Sequence, residues 1–250
     1  MDTKMKDAKT MGMSAVRHTT RLVPSLKIWK ARREAFEKME KINRQWNVES
    51  WLHQKRTGVY TRLLTEALFA KPGRLPAEPG SGGQTVEKNK GAIVYAAYLH
   101  DVGETAELPD STSTYTSMDM DMLISHHTIG CGEIIDSYFD REDTLYYRTL
   151  GEVCRHHHER WDGRGYPDVL SGTEIPLSAR IVAVADAYDR VSGRQLNRKP
   201  YSHERAAKAI RAGKGKLFDP EIVALFDEIE EQFYDSGKAL SKGYGIRQLV

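Results

Sequence analysis

Asp186 sits in the middle of an apolar stretch, "SARIVAVADAYD", residues 178–189. A carboxylate among Ile, Val and Ala is costly to bury unless a cation meets it. Any helix that turns this stretch into the core must therefore bring a positive group to Asp186. An arginine such as Arg180 is one candidate. A metal ion is the other, and the histidines favour it. Six of the nine histidines lie between positions 100 and 158: His100, His126, His127, His156, His157 and His158. Asp101 follows His100 directly. Histidine and carboxylate together, without cysteine, suit iron, manganese, zinc or similar ions. An adjacent His-Asp pair can serve two neighbouring metals through a bridging carboxylate, an arrangement that clamps a phosphodiester for in-line attack. Lone His53 and His203 read instead as surface or satisfied core residues.

The rest of the chain sets the frame. Apolar residues recur at helical spacing, strand signals are scarce, and the predicted class is all-α. Trp29, Phe36, Met39, Ile42 and Trp46 mark an amphipathic helix from Leu26 to about Trp46. It reads as a connector to another domain, a homodimer seam, or a helix packed on the main body. A second helix follows over roughly Val48–Ala70, with Val59, Leu63, Leu64, Ala67 and Leu68 on one side. The Pro- and Gly-rich "KPGRLPAEPGSGGQ" (71–84) breaks it. "GAIVYAAYLHDVG" reads as a buried helix ending at Gly103, and Ser117 as the N-cap of a helix carrying His126. Ser202 and Asp219 are N-cap candidates for the last two helices, with Pro220 in the first helical position. Residues 1–24 are polar and read as mobile. The expected division is an extension over 1–46 and a domain over 47–250.

Composition removes several function classes. A formal net charge of +2 gives no argument for a nucleic-acid polymer or a membrane surface. No apolar run approaches a membrane span. Cys131 and Cys154 form no Cys-x-x-Cys, so the simplest home is a reducing cytoplasm.

Four motifs in order, "YLHDVG", "HHHERWDGRGYP", "IPLSARIVAVADAYD" and "GKLFDPEIVALF", resemble the HD-GYP domain, a subgroup of the HD metal-dependent phosphohydrolases. The resemblance covers roughly residues 48–233. It implies an HD-type helical bundle with the GYP loop beside the metal site. It also implies hydrolysis of cyclic di-GMP to pGpG or GMP at two or three divalent ions, iron or manganese, in bacterial second-messenger signalling. Carried onto this chain, the metal ligands are His100, Asp101, His126, His157, His158 and Asp186, with Asp101 the bridge and catalytic centre. His156 is left as an extra histidine. Gly165, Tyr166 and Pro167 form the GYP turn, which borders the substrate and doubles as a partner-docking surface. Its glycines permit close approach, and Tyr166 offers a ring to guanine. Arg194, then Arg198, is the candidate grip on phosphate.

The pattern departs from the family in three places. Arg56 and Tyr60 stand where the family has a glutamate and a histidine ligand. That register predicts that Tyr60 faces the metals; His53, two turns earlier on a similar helix face, is the alternative as a substitute ligand. Glu104 replaces a phosphate-facing lysine, and a swap of charge with Arg56 would account for both changes. The Arg-Pro-Tyr segment is blurred into "SGRQLNRKPY". The departures leave a second reading, a weakened HD-GYP acting as a cyclic-dinucleotide-binding or partner-docking module, and a third, hydrolysis of a mixed cyclic dinucleotide.

Overall fold

The computed structural model describes residues 26–70, 90–105, 131–139, 141, 144–193 and 199–241. Among the described residues eight α-helices run in chain order: α1 (Leu26–Trp46), α2 (Val48–Phe69), α3 (Lys90–Ala97), α4 (Cys131–Tyr138), α5 (Thr144–His156), α6 (Leu177–Ser192), α7 (His203–Ala212) and α8 (Pro220–Ser241). Short 3-10 turns cover Val102–Thr105 and Gly172–Glu174. The described residues contain no strand, as the apolar spacing predicts. None of their helices is long and apolar enough to cross a membrane. The segment 1–24, the Pro/Gly-rich stretch 71–84 and the expected N-cap Ser117 lie outside the described residues, as do His126, Arg194 and Arg198.

Helix ends follow side-chain chemistry. Asn47 separates α1 from α2 in an extended conformation, and its side chain accepts from the amides of Glu49 (2.9 Å) and Ser50 (3.2 Å). Those amides have no partner inside the helix, so the cap stabilises the start of α2 by about 1 kcal/mol. Ser202 caps α7 through Arg205 N at 3.4 Å. Asp219 accepts from Glu221 N at 2.8 Å and starts α8, with Pro220 in its first position.

Helix α2 is the axis of the molecule. One apolar side was expected of it, yet Gln54, Lys55, Thr57, Gly58, Val59, Tyr60 and Thr61 are all buried, with only Arg56 among them partly exposed. Helices α1, α3, α6 and α8 all pack on it. Gly58 makes the closest approach possible: a Cβ there would lie 2.4 Å from the Tyr98 ring. Buried Lys55 pairs with Glu40 of α1 and lies over the Phe36 and Tyr98 rings, 5.0 and 4.9 Å from their centroids. Helix α1 thus packs on the body, with Met39 only 1% exposed.

Two apolar clusters flank this axis. One joins Tyr60, Leu64, Ile181, Tyr188, Ile210, Phe226 and Phe233. The other joins Met39, Ala97, Leu99, Val102, Cys131, Leu150, Val153 and Val182. Helix α6 feeds both. Full burial of each such aliphatic or aromatic side chain contributes about 1.5–3 kcal/mol.

The sequence pattern carried α3 on to Gly103, but the α-helix ends at Ala97. Leu99 N donates to Ala96 O and Val102 N to Leu99 O, both at 3.0 Å, so the chain tightens to three residues per turn. At that period Leu99 and Val102 share one face and enter the second cluster. His100 and Asp101, between them, turn to the other side.

Candidate metal centre

Four segments deliver buried polar side chains to one point. His53 comes from α2, His100 and Asp101 from the turn after α3, His157 and His158 from the end of α5, and Asp186 from α6. Donor atoms of His53, His100, Asp101 and Asp186 all lie within 4.8 Å of one another, and those of Asp101, His157 and His158 form a second such group. Asp101 belongs to both. Its Oδ2 lies 3.3 Å from His100 Nε2 and 3.6 Å from His53 Nε2, while Oδ1 lies 3.3 Å from His157 Nε2. The carboxylate therefore has one oxygen toward each group, as a bridging ligand requires.

The rings are held in the tautomer that a metal needs. His100 Nδ1 donates to Ala97 O at 2.8 Å and His157 Nδ1 to Val153 O at 2.7 Å. A carbonyl only accepts, so the proton sits on Nδ1 and the Nε2 lone pair points inward. His53 repeats the device with Asp189, whose Oδ2 lies 2.7 Å from Nδ1. Inward Nε2 lone pairs then face carboxylate oxygens: His53 to Asp186 Oδ1 at 2.9 Å, His100 to the same oxygen at 3.5 Å. Lone pair against carboxylate is repulsive unless a cation or a proton lies between them. The donor set fits divalent ions on both counts, imidazole nitrogen and carboxylate oxygen. A proton on His100 answers the same repulsion. Burial opposes charge on His100, but Asp101 and Asp186 outweigh it and push its pKa up to about 10. Burial likewise opposes ionisation of Asp101 and Asp186. The positive groups around them nevertheless hold both well below the usual carboxylate range: His100 and Arg190 for Asp101, Arg190 and the two histidines for Asp186.

The turn after the histidines folds back onto them. Glu159, 4% exposed, accepts from the amides of Asp168 (2.7 Å) and Leu170 (3.2 Å), which closes the loop. Gly165 lies against the backbone that it returns to: a Cβ would meet Arg160 N at 2.4 Å and Glu159 Cα at 2.5 Å. Gly163 has φ +72°, a left-handed conformation open to glycine. The closed loop stacks Tyr166 on His158, centroids 5.0 Å apart and planes 21° apart. His156 points elsewhere, 2.9 Å from Asp168.

Of the ligands expected from the sequence, His100, Asp101, His157, His158 and Asp186 converge; His126 lies outside the described residues. Tyr166 stacks on His158 and Gly165 packs against the Glu159–Arg160 backbone, while Arg194 and Arg198 are also outside. Three readings need correction. Tyr60 does not face the metals. It is 1% exposed in the apolar core, stacked on Phe233 at 4.9 Å and edge-on to Tyr188 at 4.9 Å. His53, set aside as an isolated histidine, occupies the site instead. Its position two turns before Tyr60 was the available signal, but the crowded packing of α2 decided which turn reaches Asp186. Arg180 does not pair with Asp186; it meets Asp219 at 2.7 Å, and Arg190 holds Asp186. Arg56, the other half of the supposed charge swap, meets Asp189 at 2.7 Å; the Glu104 side chain lies outside the described residues.

An all-helical bundle that converges a His-Asp pair, further histidines and a core aspartate defines a class, the HD domains. Residues 83–222 match the HD domain family. A cyclic di-GMP phosphodiesterase of Vibrio cholerae serotype O1 is 32% identical over 189 residues, 74% of this chain and 37% of that protein. A second, from Thermotoga maritima, is 34% identical over 179 residues, 70% of this chain and 46% of that protein. The chain thus spans less than half the length of these relatives. In fold, it superposes on the crystal structure of a cyclic GMP-AMP specific phosphodiesterase of V. cholerae with TM-score 0.54 at 17% identity, over 84% of this chain and 53% of that one. The chain belongs to the HD domain family, and its motifs resemble those of the HD-GYP members.

Proposed function

We propose that this protein is a metal-dependent phosphodiesterase that hydrolyses cyclic di-GMP to pGpG or GMP in bacterial second-messenger signalling. The observation that carries the reading is Asp101, with one oxygen toward His53, His100 and Asp186 and the other toward His157 and His158. Two divalent ions, iron or manganese, would be held by these groups and would supply Lewis acidity to the phosphodiester and the means to ionise an attacking water. The chain's own residues prepare that chemistry. Ala97 and Val153 fix the tautomers of His100 and His157 through their carbonyls. Asp189 does so for His53 and is itself clamped by Arg56. Tyr166 stacks on His158 and holds its ring from the loop side. A phosphodiester approaching this centre meets the half-exposed guanidinium of Arg190, 3.1 Å from Asp101 Oδ2.

The test is direct. Protein reconstituted with Mn²⁺ or Fe²⁺ is incubated with cyclic di-GMP, and the products are separated by chromatography beside an Asp101→Asn control. A parallel arm offers a mixed cyclic GMP-AMP dinucleotide. Appearance of pGpG or GMP only with Asp101 intact supports the reading. Binding of cyclic di-GMP without turnover at any metal load replaces it with the non-catalytic module, a reading favoured by the fact that Arg190 engages both carboxylates of the centre.

A further inference from the structure

Arg190 is one helical turn beyond Asp186 on α6. Its Nε lies 2.9 Å from both Asp186 oxygens, and its Nη2 lies 3.1 Å from Asp101 Oδ2. A planar guanidinium thus spans the two carboxylates that the first donor group would offer to a cation. The placement is lopsided. Arg190 meets Asp101 at Oδ2, the oxygen that faces His53 and His100, whereas Oδ1 faces His157. The side chain is 41% exposed, against 1% for Asp101 and 8% for Asp186. It can therefore swing into water, whereas its two partners are fixed in the core.

We propose that Arg190 is a tethered counter-cation that competes with a divalent ion for the His53–His100–Asp101–Asp186 group and leaves the Asp101–His157–His158 group to fill first. The physics is that of two cations for one pair of carboxylates. A guanidinium donates charge-assisted hydrogen bonds to both carboxylates and never deprotonates. An incoming ion must break those bonds and tolerate the repulsion of the released guanidinium nearby. It gains coordinate bonds from the His53 and His100 imidazoles, stronger than any hydrogen bond that a guanidinium N–H could donate to them. The outcome is two metal sites of unequal affinity in which the weaker one is set by metal supply, and a released Arg190 is left at the mouth of the centre when that site fills. The inference rests on the metal-centre reading and adds an order of filling and a residue that sets it.

The experiment measures metal rather than turnover. Mn²⁺ is titrated into chelator-stripped protein and free Mn²⁺ is followed by its electron paramagnetic resonance signal, for the wild type, Arg190→Gln and Arg190→Lys. The wild type is expected to bind in two steps. In Arg190→Gln the weaker step should tighten by about tenfold or more, the worth of a charge-assisted pair, while the tighter step stays in place. Arg190→Lys, with a cation still tethered, should stay closer to the wild type. The stripped Arg190→Gln protein should melt at a lower temperature than the stripped wild type, and saturating Mn²⁺ should close that gap. Unchanged or weakened binding in Arg190→Gln, with the variant folded by circular dichroism, overturns the proposal while leaving the metal centre intact. Failure of the wild type and both variants to bind Mn²⁺ overturns the metal centre and this inference together.

Discussion

The Nε2 of His53 lies 2.9 Å from Oδ1 of Asp186, which joins the first turns of α2 to the middle of α6 inside the candidate centre. The register that makes this contact also sends Tyr60, two turns on, into the apolar core. His53→Gln should therefore weaken the affected metal site by at least about tenfold. Tyr60→His should add no metal and should cost about 2–4 kcal/mol, because it replaces a ring packed between Tyr188 and Phe233 with a smaller polar one. Metal analysis and urea melts of the two variants check both statements. A gain of metal by Tyr60→His would mean that α2 is rotated from the position described.

Asp101 and His156 should behave as opposites. Asp101→Asn removes charge from a carboxylate that serves both donor groups, so metal content and hydrolysis should fall together to near zero. His156→Ala only releases a contact to Asp168 at the rim and should leave metal content within error. A critical His156 with a dispensable His158 would shift the register of the triple histidine by one.

Glycine substitutions separate the loop from the helices. Gly165→Ala puts a methyl group into the backbone of Glu159 and Arg160 and should open the GYP loop, with a loss above about 1 kcal/mol and slower hydrolysis. Gly151→Ala, on α5 with nothing within 4 Å of its would-be Cβ, should instead stabilise by about 0.5–1 kcal/mol. Thermal melts of the pair, read against each other, give the sign of each.

The loop anchor should respond to acid. Arg155 and His156 hold the Asp168 carboxyl down to about 2, with Arg155 the larger cause. A depressed carboxylate contributes stability that is present above its unfolded pKa, near 4, and is lost as pH falls toward 2. The Asp168 side chain is 33% exposed, so solvent screening keeps the effect to about 1 kcal/mol or less. The stability difference between wild type and Asp168→Asn should thus be larger at pH 6 than at pH 3 in urea titrations. A difference that grows as pH falls would contradict the assignment.

Much of the fold was legible in the sequence because local chemistry decides it. Apolar spacing gave the helices, and Ser202 and Asp219 with Pro220 marked starts that the backbone obeys. The end of α3 was not legible. Its apolar pattern runs on to Gly103, and only the need of Leu99 and Val102 to enter one cluster tightens the chain at Ala97.

For the site, the sequence by itself determined the chemical inventory: His100 with Asp101, His157 with His158, a core aspartate at 186, and a glycine turn at 163–165. Those residues carry their constraint in their own chemistry, since a buried carboxylate demands a cation and a tight return demands a missing Cβ. The tertiary structure alone decided which side chains meet. It chose His53 over Tyr60, Arg190 over Arg180 as the partner of Asp186, and Asp189 as the clamp between His53 and Arg56. Each of those choices turns on the rotation and depth of one helix against another. A rotation of one residue moves a side chain by 100°, and what fixes that rotation is the combined packing of α1, α3, α6 and α8 around α2, a property of no single stretch of the chain.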